Sequence, residues 1–546
     1  MPATLRRRGP SPYGSTAVLA LLASVGLVGV IATVAWRFGV PAAVTAVAAI
    51  GTPTAVCALV LVRRRRRRPT IDRTARHLAG PRDLPAASAR GAAAAAARLG
   101  ARTSVPGVRI GRSVRGGRDV WASWEDMHMD IWGPRTGKTT TRAIPAVVEA
   151  PGAVVVTSNK RDIVDATRGV RERRGPVWVF DPQNQANEPA SWWWDPLTFV
   201  GSSVVRATIA ASLFAGANRG AHVRSDGYFE PAGQDLFAAV LLAASEAGLP
   251  VTAVLTWLRR PTDDTPARIL RDAGHDVVAA SVEAVSAGPV TQRAGVYGVA
   301  SQIAAPLTAP EIARWVTPGE GRPRPQFRHT DFGAHDNGTI YLLSEETHKV
   351  AAPLILTLTT ALAYQFEGRA IESSGGRLAV PAVFVLDEAA NVCPWPELPS
   401  LYTHYGSRGI VMMTILQSWA QGVAVWGQTG MAAMWGAANV RVYGGGSADT
   451  GFLGDLAGMS PDFEPATHQV SWSAFDPFSR AATRSSRSEP VLDAAVLGSM
   501  PRGRAWAQVG GSAPILLRTV PWWEGPYADR IRDSIARYAP HPETGT

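Results

Sequence analysis

Residues 132–139 read Trp-Gly-Pro-Arg-Thr-Gly-Lys-Thr and lie between a strand-like run and a helix-like run. This context is typical of a phosphate-binding loop, in which main-chain N–H groups around Gly137 wrap the β- and γ-phosphates of a nucleotide. Lys138 is predicted to neutralise phosphate charge, and the Thr139 hydroxyl to hold Mg²⁺. The predicted nucleotide-binding residues are Gly133, Pro134, Arg135, Thr136, Gly137, Lys138, Thr139 and Thr140.

The loop departs from the strict pattern where it begins. That pattern has glycine five positions before Gly137, but Trp132 stands there and Gly133 follows one position later. We therefore expect a differently shaped opening turn. The alternative reading is a plain glycine turn with an incidental lysine. Against it, the chain has only three lysines beside 52 arginines, and a planar guanidinium replaces a compact ammonium poorly among phosphates.

A second chemical feature is the pair Asp387-Glu388, which follows the apolar run Ala-Val-Phe-Val-Leu. Two carboxylates at the carboxyl end of a buried parallel strand form the Walker B arrangement of nucleotide hydrolases. Asp387 is then predicted to contribute to the Mg²⁺ shell, and Glu388 to polarise the attacking water. Taken alone, an Asp-Glu pair could equally be an ordinary surface feature.

A polar residue also ends the next strand-like run, 410–416, where Gln417 is followed by Ser418. An amide at this place can hydrogen-bond the γ-phosphate or its water and report hydrolysis to the next helix. The other interpretation of Gln417 is a plain residue at a helix N-terminus. Arg408 and Arg441 are candidates for an arginine that reaches the nucleotide of a neighbouring subunit.

The elements around these residues alternate between strand-like and helix-like runs, which predicts an α/β fold with a parallel sheet. Residues 185–335 are mostly helix-like, and strand signals return only at 339–343, so we predict an all-helical insertion there. The nucleotide-binding domain then comprises 105–184 and 336–546, the latter including a turn-rich tail with one late strand at 515–520. An Ala/Arg-rich segment, 69–104, is predicted to be a linker or stalk without a core of its own.

The net charge of +11 is concentrated at the N-terminus, because residues 1–69 hold ten arginines and no acid. Two apolar stretches, 15–36 and 40–62, each exceed the ~20 residues that an α-helix needs to span a bilayer. A secretory signal peptide is the competing interpretation, but a second long apolar stretch follows at once. We predict a transmembrane hairpin over 1–68. The flanking arginines place both termini in the cytoplasm by the positive-inside rule.

Composition excludes other classes. Two cysteines, Cys57 and Cys393, cannot form a disulfide framework, and no Cys/His cluster has metal-ligand spacing. Beyond residue 69 the chain is nearly neutral, which argues against a large exposed surface that coats nucleic acid. The run Trp192-Trp193-Trp194 is compatible with packing, subunit contact or base stacking.

Taken together, these motifs resemble the type IV secretion coupling proteins, the TraG/TraD-like conjugative DNA-transfer ATPases. The resemblance rests on the N-terminal hairpin and on motifs that occur in the family's order, at 133–139, 154–160, 179–182, 194–197, 386–391, 407–410 and 417–418. It implies a RecA-like P-loop domain with an all-helical insertion and a homo-hexameric ring at the cell membrane. It further implies ATP and Mg²⁺ as cofactors, and relaxase-bound single-stranded DNA and secretion channel proteins as partners.

Two other functions stay open at this point. One is a membrane-tethered receptor that recruits substrates for protein secretion through the helical insertion. The other is a double-stranded DNA translocase of the FtsK/HerA type, although the usual C-terminal winged-helix reader of FtsK is not found in the sequence.

Overall fold

The computed structural model describes Arg37 and residues 69–540, except 81, 219–226, 320–322, 347, 464–465, 474–475 and 487–488. The side chains of 218 and 463–489 are also outside the description. The predicted transmembrane helices at 15–36 and 40–62 therefore lie outside the described residues. The chain divides into two compact units, Met1–Arg73 and Thr74–Thr546. A 3-10 helix, Thr70–Arg76, begins in the first unit, and the strands and α-helices that follow it in the chain belong to the second.

An eleven-stranded mixed sheet forms the centre of the second unit, in the order β2-β1-β15-β14-β9-β3-β8-β7-β4-β6-β5. Two further two-stranded sheets pair β10 with β13 and β11 with β12. The strands are β1 (Val108–Ser113), β2 (Asp119–Ala122), β3 (His128–Ile131), β4 (Val154–Ser158), β5 (Val177–Phe180), β6 (Thr339–Leu343), β7 (Ala382–Leu386), β8 (Ile410–Leu416), β9 (Val440–Tyr443), β10 (Asp462–Phe463), β11 (Ala466–Ser473), β12 (Asp476–Ser486), β13 (Glu489–Pro490), β14 (Arg504–Val509) and β15 (Ile515–Arg518).

The seven strands from β9 to β5 in the sheet order run parallel, and the four beyond β9 are antiparallel. Every residue of β4, β6, β7 and β8 is buried. Such continuous apolar runs are expected where helices cover both faces of a parallel sheet. The predicted α/β class with a parallel sheet is confirmed, and the sheet also carries an antiparallel extension.

The helices connect and cover these strands. They are α1 (Ala89–Arg98), α2 (Ile144–Glu149), α3 (Asp162–Arg171), α4 (Leu197–Val200), α5 (Val204–Asn218), α6 (Phe229–Glu246), α7 (Ala253–Leu258), α8 (Thr265–Asp272), α9 (Asp276–Ala287), α10 (Val290–Ala304), α11 (Pro310–Val316), α12 (His329–Ala334), α13 (Ala352–Glu372), α14 (Ala389–Val392), α15 (Leu398–Leu401), α16 (Trp419–Ala437), α17 (Thr450–Gly458), α18 (Ala494–Gly498) and α19 (Ala528–Tyr538).

One helical stretch in the described part of the chain, Lys349–Glu372, is long and apolar enough to cross a membrane. Of its most apolar window, 78% is buried inside the protein. The stretch contains α13, whose residues from Ala352 to Ala363 are all buried. This burial is that of a core helix.

The connection from β5 to β6 contains α4 to α12 and, within the described residues, no named strand. The start and end of this helical region meet in an aromatic cluster, where the Trp192 ring lies 5.3 Å from both the Trp315 and Phe327 rings. Trp192 and Trp194 are buried. These two tryptophans therefore pack the core, and only Trp193 is partly exposed. The boundaries of a separate insertion domain at 185–335 stay a prediction, since the whole of Thr74–Thr546 is one compact unit.

From residue 79 onward the segment 69–104 packs on the main hydrophobic cluster, and its role as a linker or stalk stays a prediction. Ala79, Leu84, Ala87 and Ala96 belong to the main hydrophobic cluster. Ser88 is the N-cap residue of α1, and its hydroxyl accepts a hydrogen bond from the Gly91 N–H at 3.0 Å. Small side chains let this segment approach the sheet closely, so its alanines form a packed surface.

The tail also contains more sheet than the sequence predicted. The strand β15 confirms the one late strand, but β14, with the sequence Arg-Ala-Trp-Ala-Gln-Val, was missed. Its alanines and polar residues have weak strand propensity. The antiparallel partners β9 and β15 on its two sides make it a strand. The C-terminal α19 packs on α3, where the Ser534 hydroxyl accepts from the Gly169 N–H at 3.0 Å.

A buried charged cluster lies between β3 and the helix that follows the phosphate loop. The Arg142 guanidinium contacts the Asp130 carboxylate at 3.1 Å and the His128 Nδ1 atom at 3.1 Å. All three side chains are at most 1% exposed. Burial, followed by the nearby Arg142 charge, lowers the pKa of His128 well below its ordinary value, so this imidazole is neutral in the folded protein.

His128 should therefore make the protein sensitive to acid. Folding lowers the pKa of His128, so the unfolded chain takes up a proton at this imidazole at a higher pH than the folded protein does. The contribution of neutral His128 to the free energy of unfolding is therefore complete above about pH 6.5 and is lost as the pH falls below that value. We expect the free energy of unfolding to fall more steeply from pH 7 to pH 5 in the wild type than in His128→Gln, by up to about 1.4 kcal/mol per pH unit. Denaturant unfolding across this range measures the difference. Parallel curves for the two proteins would contradict it, because Asp130 and Arg142 are common to both.

Candidate active site

The sheet order places three of the predicted chemical segments side by side. The phosphate loop follows β3, Gln417 follows β8, and Asp387-Glu388 follows β7. These strands are consecutive neighbours in the order β3-β8-β7, and both pairings are parallel. Their carboxyl ends therefore lie at one edge of the sheet, which brings the three segments together.

The phosphate loop is a strained turn that leads into a helix. Arg135 has a φ of 60° and Gly137 a φ of 100°, and the Thr136 hydroxyl donates to the Gly133 carbonyl at 2.6 Å. Thr140 and Thr141 both donate their hydroxyls to the Gly137 carbonyl. A π-helical turn, Thr139–Ala143, opens the following helix and continues into α2. Pro134 and Arg135 are exposed at the tip of the loop.

The packing around the loop explains why it begins with tryptophan. Trp132 is fully buried, and a Cβ atom at Gly444 would lie only 1.9 Å from its ring. The close approach of backbones occurs one residue later, where the Gly133 N–H donates to the Gly445 carbonyl at 2.9 Å. A Cβ atom at Gly133 would lie 2.4 Å from the Gly446 carbonyl oxygen. The glycine required at the opening of this loop is therefore Gly133.

Lys138 joins the loop to the acidic pair. Its ammonium lies 2.7 Å from the Asp387 Oδ1 atom and also pairs with Glu388. Burial alone lowers the pKa of Lys138, but the two carboxylates outweigh it, so the pKa is raised and the ammonium stays charged. Burial raises the pKa of Asp387, and the Lys138 ammonium opposes part of that change.

A divalent cation fits beside this ion pair. The Thr139 hydroxyl lies 3.2 Å from the Asp387 Oδ2 atom, so two hard oxygen donors face each other. Mg²⁺ is usually held by one or two such protein oxygens together with waters and substrate phosphates. No cluster of three or more His, Cys, Asp or Glu side chains suited to a metal occurs among the described residues. The donor set therefore suits Mg²⁺ that arrives with a nucleotide.

Glu388 is held by the side-chain amide of Gln417, the predicted sensor. The Gln417 Nε2 atom donates to both carboxylate oxygens of Glu388, at 2.9 Å and 2.8 Å. Glu388 is 2% exposed and adopts a left-handed conformation with a φ of 55°. A non-glycine residue in this conformation is costly and is maintained at sites where the surroundings fix it.

The two candidate trans arginines lie away from this cluster and bond within their own chain. Arg408 precedes β8, at its amino end, and donates to the Gly376 carbonyl at 3.1 Å. Arg441 lies within β9 and bonds Trp435, Gln508 and Gly436. Neither arginine contacts Lys138, Asp387 or Glu388 in the described contacts.

Sequence reasoning missed the polar residues just behind the site, Asn391, Gln421 and Glu346. The amides of Asn391 and Gln421 bond each other at 2.9 Å, and Asn391 also bonds Glu346. Asn391 follows Glu388 by three residues and Gln421 follows Gln417 by four, which is the spacing of one helical turn. That spacing was the available signal, but it does not show which residues meet.

The fold is that of the conjugative coupling proteins of solved structure. The bacterial conjugative coupling protein TrwBdeltaN70, in its unbound form, aligns with a TM-score of 0.56 and 16% identity, covering 78% of this chain and 92% of that one. TrwB in complex with the GTP analogue GDPNP gives 0.52 and 15%, covering 73% and 86%. The complex with the ATP analogue ADPNP gives 0.52 and 15%, covering 72% and 86%.

A family model also matches the chain. Residues 381–502 match the model described as the TraM recognition site of TraD and TraG. This segment includes β7, the pair Asp387-Glu388 that follows it, and Gln417. No curated protein matches the chain. The predicted resemblance to the TraG/TraD-like coupling proteins is confirmed by the family model and the shared fold.

The packing of Gly133 gives a direct test of the loop. In Gly133→Ala the added methyl group meets the Gly446 carbonyl oxygen, which is main chain and cannot turn aside. We expect the affinity for a fluorescent ATP analogue to fall by about tenfold or more, because the loop must shift from its phosphate-binding geometry. Gly454→Ala is the matched control, since a Cβ atom there meets nothing within 4 Å. Equal affinities of the two variants would contradict the proposed role of Gly133.

Proposed function

We propose that this protein is a membrane-anchored ATPase. In this proposal, ATP hydrolysis drives the recruitment of DNA, as a relaxase-bound single strand, and its translocation into a type IV secretion channel for conjugation. The single observation that carries the proposal is the convergence of Lys138, Asp387, Glu388 and Gln417 at the carboxyl edge of a parallel sheet. A phosphate-binding lysine, a magnesium carboxylate, a base and an orienting amide are the parts that phosphoryl transfer needs.

The residues have separate tasks in hydrolysis. Main-chain N–H groups around Gly137 and the Lys138 ammonium bind the β- and γ-phosphates, which compete for Lys138 with the carboxylates of Asp387 and Glu388. Thr139 and Asp387 would hold Mg²⁺, which would neutralise charge on the phosphates.

Glu388 takes the proton of the attacking water, and Gln417 orients that water through its side-chain amide. The water oxygen bonds to the γ-phosphorus while the bond to the β-phosphate oxygen breaks, and ADP leaves with that electron pair. The products are ADP and inorganic phosphate.

Two comparisons support this assignment of substrate and partners. TrwB, which shares the fold, is described in complex with analogues of ATP and of GTP. The family model over 381–502 is named for TraM recognition by TraD and TraG. We therefore propose that this part of the chain also recognises a protein of the DNA-processing complex. A site for a protein partner and a site for nucleotide then share one segment.

We further propose that the protein works as a homo-hexamer in which an arginine of one subunit reaches the nucleotide of the next. Arg408 is the better candidate, because it makes one hydrogen bond to a main-chain carbonyl. Arg441 donates to three acceptors, and all three bonds would have to break before it could reach across an interface. Half-buried Arg441 is therefore more suited to holding β9 than to contacting a neighbour.

Hydrolysis should depend on Lys138 and Glu388 in different ways. In Glu388→Gln the general base is lost while the loop remains, so we expect kcat to fall about 100-fold or more with nucleotide binding retained. In Lys138→Ala we expect both binding and hydrolysis to be lost. Phosphate release by the full chain in detergent micelles, with and without single-stranded DNA, measures the rates. A Glu388→Gln protein that hydrolyses ATP at the wild-type rate would refute the mechanism.

The same variant separates the motor from a substrate receptor. The receptor alternative is favoured by one observation, the long helical connection between β5 and β6, which offers surface for protein recruitment. Loss of DNA transfer by Glu388→Gln with substrate binding intact supports the motor, and unchanged transfer supports the receptor. Stimulation by duplex rather than single-stranded DNA would instead indicate a translocase of the FtsK/HerA type.

The charge pattern of the N-terminus supports a location in the cell membrane, with two spanning helices and both termini in the cytoplasm. In a Cys57→Ala, Cys393→Ala background, Phe38→Cys should be labelled by a membrane-impermeant maleimide added to intact cells. Thr4→Cys should be labelled only after lysis, because it lies before the first span. Labelling of Thr4→Cys in intact cells would contradict this topology.

A further inference from the structure

Behind Gln417 a series of side chains is joined end to end by hydrogen bonds. The Gln417 main-chain N–H donates to the Gln421 Oε1 atom at 3.3 Å. The Gln421 Nε2 atom donates to the Asn391 Oδ1 atom at 2.9 Å, and the Asn391 Nδ2 atom donates to the Glu346 Oε1 atom at 2.9 Å. The second oxygen of Glu346 accepts from the Asn159 amide at 3.1 Å. We call Gln421, Asn391 and Glu346 the amide relay.

The carboxylate at the end of the amide relay determines the direction of every bond in it. An ionised carboxylate only accepts hydrogen bonds, so Asn391 must turn its NH₂ group towards Glu346. Its carbonyl oxygen then faces Gln421, which must in turn present its own NH₂ group. The Gln421 oxygen is thereby left to accept the main-chain N–H of Gln417. A single acceptor at Glu346 thus fixes the orientation of two side-chain amides.

The loop that carries Glu346 is itself attached on two sides. The Gln183 Oε1 atom, on the segment after β5, accepts from the Ser344 hydroxyl at 3.0 Å and from the Glu345 N–H at 3.1 Å. The Lys349 ammonium donates to the Ala390 carbonyl at 3.3 Å, two residues after Glu388. The loop therefore connects the segment that leads into the helical region with the turn that carries the acidic pair.

We infer that Asn391 and Gln421 are positioning residues that hold Gln417 in register with Glu388, and that Glu346 sets their orientation. The inference rests on the proposed hydrolysis and adds three residues to its machinery. Asn391 is 8% exposed, so a misdirected amide there has little water to compensate for a lost partner. The relay contacts Gln417 through its main chain, and therefore acts on the placement of that residue rather than on the reacting atoms.

The relay predicts an unusual rescue. In Asn391→Asp two carboxylates face each other at the bond with Glu346, and their repulsion displaces residue 391. We expect kcat for ATP to fall about tenfold while KM changes less than about threefold, because Gln417 is misplaced and the phosphate loop is not. In Glu346→Gln the new amide can still accept from Asn391, so we expect a loss of less than about threefold.

The double variant Asn391→Asp with Glu346→Gln reverses one bond and keeps the rest. Its new amide donates to the new carboxylate, which still accepts from Gln421, and the total charge is that of the wild type. We expect kcat to return to the level of Glu346→Gln. Asn337→Asp is the matched control, since Asn337 is exposed and precedes β6 at the opposite edge of the sheet. All proteins are compared as full chains in detergent micelles, well below the Tm of the least stable one.

Two outcomes would overturn the inference: an Asn391→Asp protein with wild-type kcat, or a double variant no more active than Asn391→Asp. Failure of the proposed function gives a separate result, which is that Glu388→Gln hydrolyses ATP at the wild-type rate. In that event thermal unfolding decides. Non-additive changes in Tm for the two single variants and their double keep the hydrogen bond between residues 391 and 346 as part of the relay, and additive changes remove it.

Discussion

Parallel pairing of β3, β8 and β7 is the constraint on which the rest of the site depends. In a parallel sheet all carboxyl ends lie at one edge, so Lys138 of the phosphate loop meets Asp387, 249 residues later, and Glu388 meets Gln417, a further 29 residues along, without any other device. The carboxylates of Asp387 and Glu388 would repel each other in a buried place. The Lys138 ammonium lies against both and compensates this repulsion. The ion cluster therefore ties the phosphate loop to the acidic strand.

The four antiparallel strands of the sheet support this arrangement from beyond β9. Strand β14 pairs with β9, and β9 pairs with β3. The three glycines that follow β9 then receive Trp132 and Gly133, the first two residues of the phosphate loop. A substitution in β14 can therefore alter the position of the phosphate loop through β9, although no residue of β14 belongs to the site.

Two of the four non-glycine residues with positive φ in the described part of the chain lie where the chemistry is proposed. Arg135 and Glu388 both adopt positive φ values, which non-glycine residues avoid because Cβ meets the backbone. At Glu388 the Lys138 ammonium and the Gln417 amide fix the carboxylate from different sides. The amide relay extends this fixation to the loop after β6. The site is thus preorganised by contacts from several β–α connections, as electrostatic catalysis requires.

Short sequence patterns predicted the main residues of the site and the strands of the parallel sheet. Glycine spacing, the lysine at 138, the apolar strand before Asp387 and the amide at Gln417 follow from short-range sequence rules, and they identified the residues that meet. The strands of the parallel sheet follow equally well, because a strand buried on both faces must be apolar along its length. The N-terminal hairpin is an inference from apolar length and charge alone.

Only the tertiary structure decided the rest. Trp132 could not be interpreted until its ring was seen against Gly444, because a close approach of two backbones leaves no mark in either segment alone. The strand β14 and the packed alanines of α1 depend on their partners more than on their own propensities. Asn391, Gln421 and Glu346 are ordinary polar residues in the sequence. Which of these groups donates and which accepts is decided only when the fold brings them within hydrogen-bond distance, which is 2.9 Å for both bonds here.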